Sequence, residues 1–248
     1  MGENGAIKGE LSDAAALQAL GWWLESGVDV AVGEAPRDWR RASPAPARTA
    51  APSPSPVTAS PVAASPVAAP TDLATFRAWL TAEPGLPLDR PGAKRVMPQG
   101  AEAAPLMLLA DFPSAQDSAE GRPIAGEPWV LAQRMLAAIG IAPQDVYLAT
   151  LACFHAPGAR LDGDELQRCG SIARDHIRFA RPERLLLFGE APARALTAHP
   201  LSTARGRIHR IEGVRAVATF HPRWLLQRPS DKALAWKDLL LLMSEESR

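Results

Sequence analysis

Two residues that could serve general acid–base or electrostatic catalysis stand at the ends of apolar segments. Asp111 follows the run PLMLLA, and a carboxylate at the end of a strand can act as a general base. His221 directly follows the run RAVATF and precedes a proline that restricts its backbone. Its imidazole could donate a hydrogen bond to a developing anion. Both have a structural alternative, because Asp is common in turns and His221 could cap the last helix.

The chain has two cysteines, and these are weak candidates for metal ligands. One residue separates Cys153 from His155, and fifteen separate Cys153 from Cys169, a spacing that matches no self-sufficient zinc pattern. The sequence therefore favours structural thiols. It excludes a disulfide framework and any site built from four cysteines.

The elements that position these groups are short apolar runs alternating with helical patterns. None of the runs alternates apolar with polar residues, which predicts strands buried on both faces of a parallel sheet. The predicted strands are 105–110, 146–151, 184–188 and 215–220, and the predicted helices are 128–139, 163–179, 190–198 and 229–244. This order predicts a three-layer α/β/α sandwich around a mainly parallel four-stranded sheet, with functional groups beyond the carboxyl ends of the strands.

Composition divides the chain into three parts. Residues 1–42 contain a helical pattern at 11–26, where leucines recur at spacings of three and four. Residues 43–70 are rich in Pro, Ala and Ser, with eight prolines, which predicts a disordered, semi-extended linker. Residues 71–248 are expected to form the folded domain.

Charge is balanced overall but uneven along the chain. Lys plus Arg and Asp plus Glu each number 27, which excludes a polybasic protein. Residues 168–228 nevertheless contain twelve arginines and four acidic residues, a composition suited to phosphate contact or to solvated helix faces. No apolar run approaches the ~18 residues of a membrane span, and the first residues lack a secretory pattern, so we expect a cytoplasmic protein without a membrane partner.

Several segments between residues 105 and 243 follow a known series of motifs in order. EGRPIAG resembles GRPFVG, MLAAIGIAPQDVYLA resembles LLAAIGL…DVYITN, ARGRIH resembles LRGRWH, and ATFHPRWLLQRP resembles ATYHPAYLLRNP. These are motifs of the uracil-DNA glycosylase superfamily, and the chain most resembles its iron–sulfur class from bacteria and archaea. The resemblance implies the α/β/α fold and a bacterial protein that is nucleoid-associated when bound to DNA.

The active-site motifs depart from the family pattern at several positions. Asp111 stands where the family has the Glu of GEAPG, and Phe112 where it has Ala. Ile124 replaces the aromatic that stacks on uracil, and Thr150 aligns with the Asn that reads the uracil edge. His221 of the HP motif is retained.

The resemblance implies a hydrolase that cleaves the N-glycosidic bond of uracil or another damaged base after flipping it from DNA. Asp111 would activate water and His221 would stabilise the departing base, in a pocket lined by Phe112, Ile124 and Thr150. An alternative is a catalytically degenerate module that binds DNA or another protein.

The resemblance also bears on partners and cofactors. Arg207, Arg223, Trp224 and Leu225 would contact single- or double-stranded DNA, and we expect a monomer. The family holds its cluster with four cysteines, two of them before the first strand. Because no cysteine precedes Cys153, we expect no cofactor and no metal, with both cysteines as remnants of the cluster site.

Overall fold

The computed structural model describes residues 69–155 and 161–244. The predicted N-terminal helical segment lies outside these residues, as does the predicted linker apart from residues 69 and 70. The segment 156–160, which contains the Ala-Pro-Gly after His155, is also outside them.

The centre of the domain is a five-stranded sheet in the order β2-β1-β3-β5-β4. The strands are β1 (Leu106–Ala110), β2 (Val146–Thr150), β3 (Arg184–Phe188), β4 (His209–Ile211) and β5 (Val214–Thr219). The four predicted strands are present and mutually parallel, which confirms the predicted class of sheet. The fifth strand, β4, pairs antiparallel with β5 at the sheet edge. Its three residues, His-Arg-Ile, are too few and too polar to predict a strand.

Helices cover both faces of the sheet. They are α1 (Leu73–Ala82), α2 (Ala115–Glu120), α3 (Gly126–Ala138), α4 (Gly163–Ala180), α5 (Glu190–Thr197), α6 (Leu201–Ala204), α7 (Pro222–Gln227) and α8 (Lys232–Met243). The four predicted helices correspond to α3, α4, α5 and α8. The last begins later than predicted because Pro229–Asp231 forms a separate 3₁₀ turn, as does Pro143–Asp145 before β2. The sequence analysis missed α1 and the short helices α2, α6 and α7.

Alternate residues of each strand enter two separate apolar cores, which makes the domain three-layered. Met107 and Leu109 of β1 face the core shared with α1, α4 and α5. Leu106, Leu108 and Ala110 face the core shared with α3 and α8. Because both faces are buried, the four parallel strands are mostly apolar, and this is why they were recognisable in the sequence. Within the described ranges, no helix is both long and apolar enough to cross a membrane.

Candidate active site

The carboxyl ends of the parallel strands bring together residues that lie far apart in the sequence. Asp111 directly follows β1 and Thr150 ends β2, and the register pairs Thr150 with the residue just before Asp111. Gly189 follows β3, and His221 lies two residues beyond the end of β5. The structure therefore brings Asp111 and His221 together at this end of the sheet, with Asp111 Oδ1 and His221 Nε2 3.6 Å apart.

Asp111 lies where the chain reverses its direction of strand addition. From β1 the chain crosses to β2 on one side, and β3 is then added on the other side of β1. Such a switch point opens a crevice between two strand ends, where ligands bind in open α/β sheets. Gly189 borders this crevice with a φ of 103°, which favours glycine, and a Cβ at this position would lie 3.5 Å from Asp111 Oδ2.

The Asp111 side chain sits at the start of a tightly fixed loop. Pro113 lacks an N–H for further sheet pairing, and Ser114 then caps α2 by accepting a hydrogen bond from the Asp117 N–H. Burial raises the pKa of Asp111 to about 6, while the positive charge of Arg223 opposes this rise. A carboxylate poised near neutral pH is suited to general-base chemistry.

His221 is held in one orientation by the start of α7. It is the N-cap residue, Pro222 occupies the first helical position, and its Nδ1 accepts a hydrogen bond of 3.0 Å from the Arg223 N–H. Burial lowers the pKa of His221 to about 3, so the ring is neutral at physiological pH. A neutral imidazole that accepts at Nδ1 carries its proton on Nε2, so His221 Nε2 is a donor.

The carboxylate of Asp111 and the imidazole of His221 face each other without forming a hydrogen bond. Asp111 Oδ1 and His221 Nε2 are 3.6 Å apart, beyond normal hydrogen-bond length. Both atoms are shielded from solvent and have no hydrogen-bond partner among the described residues. Buried polar atoms without partners are costly and are found preferentially at functional sites. Together they offer one anionic oxygen and one N–H donor to a substrate.

Asp117 connects three segments around the site. Its buried carboxylate accepts hydrogen bonds of 2.7 Å from both the N–H and the hydroxyl of Ser114. It also accepts from the Ala125 N–H at 2.7 Å and from the Arg223 guanidinium at 3.0 Å. The sequence analysis missed Asp117, although its spacing from Ser114 is that of a capping box.

Asp238 of α8 also joins several segments, among them the end of the strand that precedes His221. Its buried carboxylate accepts a hydrogen bond of 2.7 Å from the Thr219 hydroxyl at the end of β5. It also pairs with the guanidinium of Arg205 at 2.7 Å and accepts from the Gly206 N–H at 3.2 Å. The end of β5, which leads into His221, is thereby tied to α8 and to the loop before β4.

A stack of cations and aromatic rings runs along the surface beside His221. The Arg205 guanidinium lies 4.1 Å from the Phe220 ring centroid, and Phe220 stacks on Trp224 with centroids 6.3 Å apart. The Arg228 guanidinium covers Trp224 at 4.7 Å. Trp224 is 41% exposed, so this stack offers solvent both an aromatic edge and positive charge.

The predicted DNA contacts differ in their surroundings. Arg207 is exposed on the loop before β4, and Trp224 projects to solvent. Leu225 was predicted to wedge into DNA, but it is 1% exposed and faces inward between α3 and α8. The helical period places Leu225 on the same buried face of α7 as Pro222, three residues earlier. Leu226, which is 37% exposed, is the outward-facing leucine. Arg223 is bound to Asp117.

The three residues that were predicted to line the base pocket differ from one another in solvent exposure. Phe112 is partly exposed next to Asp111, and Thr150 is 9% exposed at the end of β2. Ile124 was predicted to line the base pocket, but it is fully buried in the core shared with α3 and α8. It therefore serves packing in this structure.

The two cysteines do not form a donor set for an iron–sulfur cluster. Cys153 and Cys169 are buried, reduced and part of the same apolar core. Burial raises the pKa of Cys153 to about 11 and that of Cys169 to about 12, so both are protonated thiols in this structure. Among the residues that the structure describes, no group of three or more His, Cys, Asp or Glu could hold a metal ion.

The chain is similar to several known proteins. A type-4 uracil-DNA glycosylase of Archaeoglobus fulgidus is 26% identical over 141 residues, covering 52% of this chain and 71% of the relative. One of Pyrobaculum aerophilum is 25% identical over 166 residues, covering 62% and 85%. One of Thermotoga maritima is 26% identical over 135 residues, covering 51% and 69%.

A family model also matches the chain. The model of the uracil DNA glycosylase superfamily matches residues 97–240, a span that contains every strand of the sheet and both Asp111 and His221. Since this match extends over more than half of the sequence and agrees with the fold, the chain belongs to the uracil DNA glycosylase superfamily.

Proposed function

We propose that this chain is a uracil-DNA glycosylase-like DNA repair hydrolase. It would cleave the N-glycosidic bond of uracil or another damaged base that has been flipped out of DNA. The observation that carries the proposal is the buried pair of unpartnered atoms, Asp111 Oδ1 and His221 Nε2, 3.6 Å apart at the switch point of the sheet. The relatives named as type-4 uracil-DNA glycosylases support the same reaction.

The two side chains complement the charges that develop as the bond breaks. The electron pair of the C1′–N bond leaves with the base, so the sugar becomes positive and the base negative. The Asp111 carboxylate would stabilise the sugar and accept a proton from the water that bonds to C1′. The neutral His221 would donate its Nε2–H to an oxygen of the base, and the base finally receives the proton that water lost.

Recognition of the base would differ from the family pattern. Thr150 presents a single hydroxyl at the end of β2, which cannot form the paired donor and acceptor contacts of an amide. Phe112, partly exposed beside Asp111, is the aromatic side chain placed to contact a base, since Ile124 is buried. We therefore expect weaker discrimination for uracil than an Asn at position 150 would give.

Contact with DNA would fall to the exposed groups around His221. Arg207 supplies an exposed positive charge, and Trp224 with Leu226 supplies apolar surface that can press against bases. Their position on the loop before β4 and on α7 places them on elements that adjoin His221. A single protomer presents all of these groups, so the proposed site needs no second copy of the chain.

The proposed reaction can be tested by measuring base release from uracil-containing DNA, single-stranded and mismatched, followed by alkaline strand cleavage. We expect release by the wild type and faster release by Thr150→Asn, because the amide restores paired contacts to the uracil edge. Thr150→Val is the matched control, because valine has a similar size but no hydroxyl, and it should not release uracil faster than the wild type. If neither the wild type nor Thr150→Asn releases uracil or any other damaged base, the chain is a non-catalytic DNA- or protein-binding module.

We further propose that the chain works without an iron–sulfur cluster. Anaerobically purified protein should be colourless and contain far less than one iron per chain, because two cysteines cannot supply the four thiolates that hold such a cluster. Substituting Cys153 by Ala should leave the iron content unchanged. Stoichiometric iron with a visible absorption band would contradict this prediction.

A further inference from the structure

The Arg223 side chain contacts the interior of the site rather than extending freely into solvent. Its guanidinium donates to the Asp117 carboxylate at 3.0 Å, and only 36% of the side chain is exposed. Its backbone N–H is the group that binds His221 Nδ1. One residue therefore fixes the imidazole through its main chain and brings a positive charge beside Asp111 through its side chain.

Asp117 has the surroundings of a residue that fixes other residues in place. Four donors satisfy its fully buried carboxylate: the Ser114 N–H and hydroxyl, the Ala125 N–H and the Arg223 guanidinium. These donors belong to the loop after β1, the loop before α3 and the start of α7. Removing the carboxylate would release all three segments, and two of them carry Asp111 and His221.

We propose that Asp117 and Arg223 form a positioning pair that holds Asp111 and His221 in register and places the Arg223 charge beside Asp111. The effect on catalysis rests on the function proposed above, whereas the effect on Asp111 itself does not. The assignment differs from the prediction that Arg223 binds DNA phosphate. A guanidinium held by a buried carboxylate is already neutralised and is less available to an external anion.

The charged groups around Asp111 determine the sign of the expected effect. Arg223 lowers the pKa of Asp111, Asp117 raises it, and the neutral His221 faces it at 3.6 Å. On the α5 side, the nearest group is the backbone of Gly189, because the Glu190 carboxylate binds the Leu201 N–H. Loss of the Arg223 charge should therefore raise the pKa of Asp111.

The test compares Arg223→Gln with the charge-conserving Arg223→Lys in the full-length chain. Carbon-13 NMR titration of the Asp111 carboxyl should show a pKa about one pH unit higher in Arg223→Gln and close to the wild type in Arg223→Lys. If the glycosylase reaction holds, kcat for Arg223→Gln should fall about fivefold at pH 6 and less than twofold at pH 8.5. An unchanged Asp111 titration in a folded Arg223→Gln protein would overturn the proposal.

Arg207→Gln serves as the matched control, because Arg207 is an exposed arginine on the loop near the same site. It should leave the Asp111 titration unchanged and flatten the log–log salt dependence of DNA binding by about one unit. Arg223→Gln should leave that slope unchanged. If instead Arg223→Gln flattens the slope and leaves Asp111 unchanged, Arg223 is a DNA contact and the pair has no positioning role.

A double-mutant cycle tests the pairing itself. Arg223→Gln should reduce kcat at pH 6 through the pKa of Asp111. Asp117→Asn should reduce it by releasing the three segments, although loss of the Asp117 charge alone lowers the pKa of Asp111. The double variant should lose no more than the more damaging single variant. Additive losses would contradict a shared role. Because the titration does not depend on turnover, an inactive wild type would contradict the proposed function while leaving the positioning pair open to measurement. If Asp117→Asn does not fold, the Asp111 titrations of Arg223→Gln and Arg223→Lys still test the positioning pair.

Discussion

Replacement of Asp111 by Asn should slow base release by roughly 100- to 1000-fold, the loss typical when a preorganised electrostatic group is removed from an active site. Asn keeps the shape of the side chain but cannot accept the water proton or balance positive charge on the sugar. The measurement is single-turnover release of uracil at pH 7.5. A loss of less than tenfold would show that the Asp111 carboxylate does not take part in the reaction.

The same substitution should make the protein more stable, which separates a catalytic role from a structural one. Burial raises the pKa of Asp111 from 3.8 to about 6, so the ionised carboxylate is less favourable in the folded than in the unfolded state. The penalty grows between the two pKa values, is nearly complete above about pH 7, and disappears below about pH 3, where the folded and unfolded states are both protonated. We expect Asp111→Asn to gain about 1–3 kcal/mol in unfolding free energy at pH 7.5.

Urea denaturation at pH 7.5 and pH 4 can measure this difference. The gain should be present at the higher pH and small at the lower one. Asp145→Asn, at an exposed position in the turn before β2, is a suitable control and should change stability by less than about 0.5 kcal/mol. Destabilisation by Asp111→Asn at pH 7.5 would show that the carboxylate supports the fold rather than the reaction.

Replacement of His221 by Ala should also reduce base release by roughly 100- to 1000-fold, because the departing base loses its N–H donor. His221→Gln, which retains an N–H donor, should recover part of that loss. The rate of the wild type should show no dependence on His221 ionisation between pH 5 and 8, because burial holds the pKa of His221 at about 3. The measurement is the pH profile of single-turnover release for all three proteins.

A folding control is needed, because His221 also caps α7. Loss of the side-chain acceptor for the Arg223 N–H should cost about 0.5–2 kcal/mol of stability. Rates must therefore be compared below the unfolding transition, as judged by circular dichroism. If the Ala variant releases uracil at near wild-type rate, or if Gln restores nothing while both proteins are folded, the donor role assigned to His221 fails.

The parallel strands could be predicted from the sequence because the fold buries both of their faces. Runs such as LMLLA in β1 and RLLLF in β3 need no alternation when helices cover each side. The short elements could not be predicted in the same way. In α7 two exposed apolar residues flank buried Leu225, and in β4 one buried residue follows two polar ones, so neither has a periodic signal.

The candidate site was predictable in its chemistry but not in its geometry. Asp111 and His221 stood out because each follows an apolar strand, yet the 3.6 Å between their side chains depends on strand order and register. The sequence also offered His221 as a helix cap, and the structure shows that the cap and the candidate catalytic group are the same residue. Asp117 and Gly189 matter through tertiary contacts that one sequence does not reveal.

The anchoring of the end of β5 by Asp238 has a consequence for how the protein is made. Thr219, two residues before His221, and Arg205, on the loop before β4, are held by a carboxylate on α8, the last helix of the described chain. During synthesis on a ribosome, Asp111 and His221 emerge before that carboxylate does. Until α8 has been translated and has docked, the end of β5 lacks this anchor, although the Asp117–Arg223 contact already joins α7 to the loop after β1.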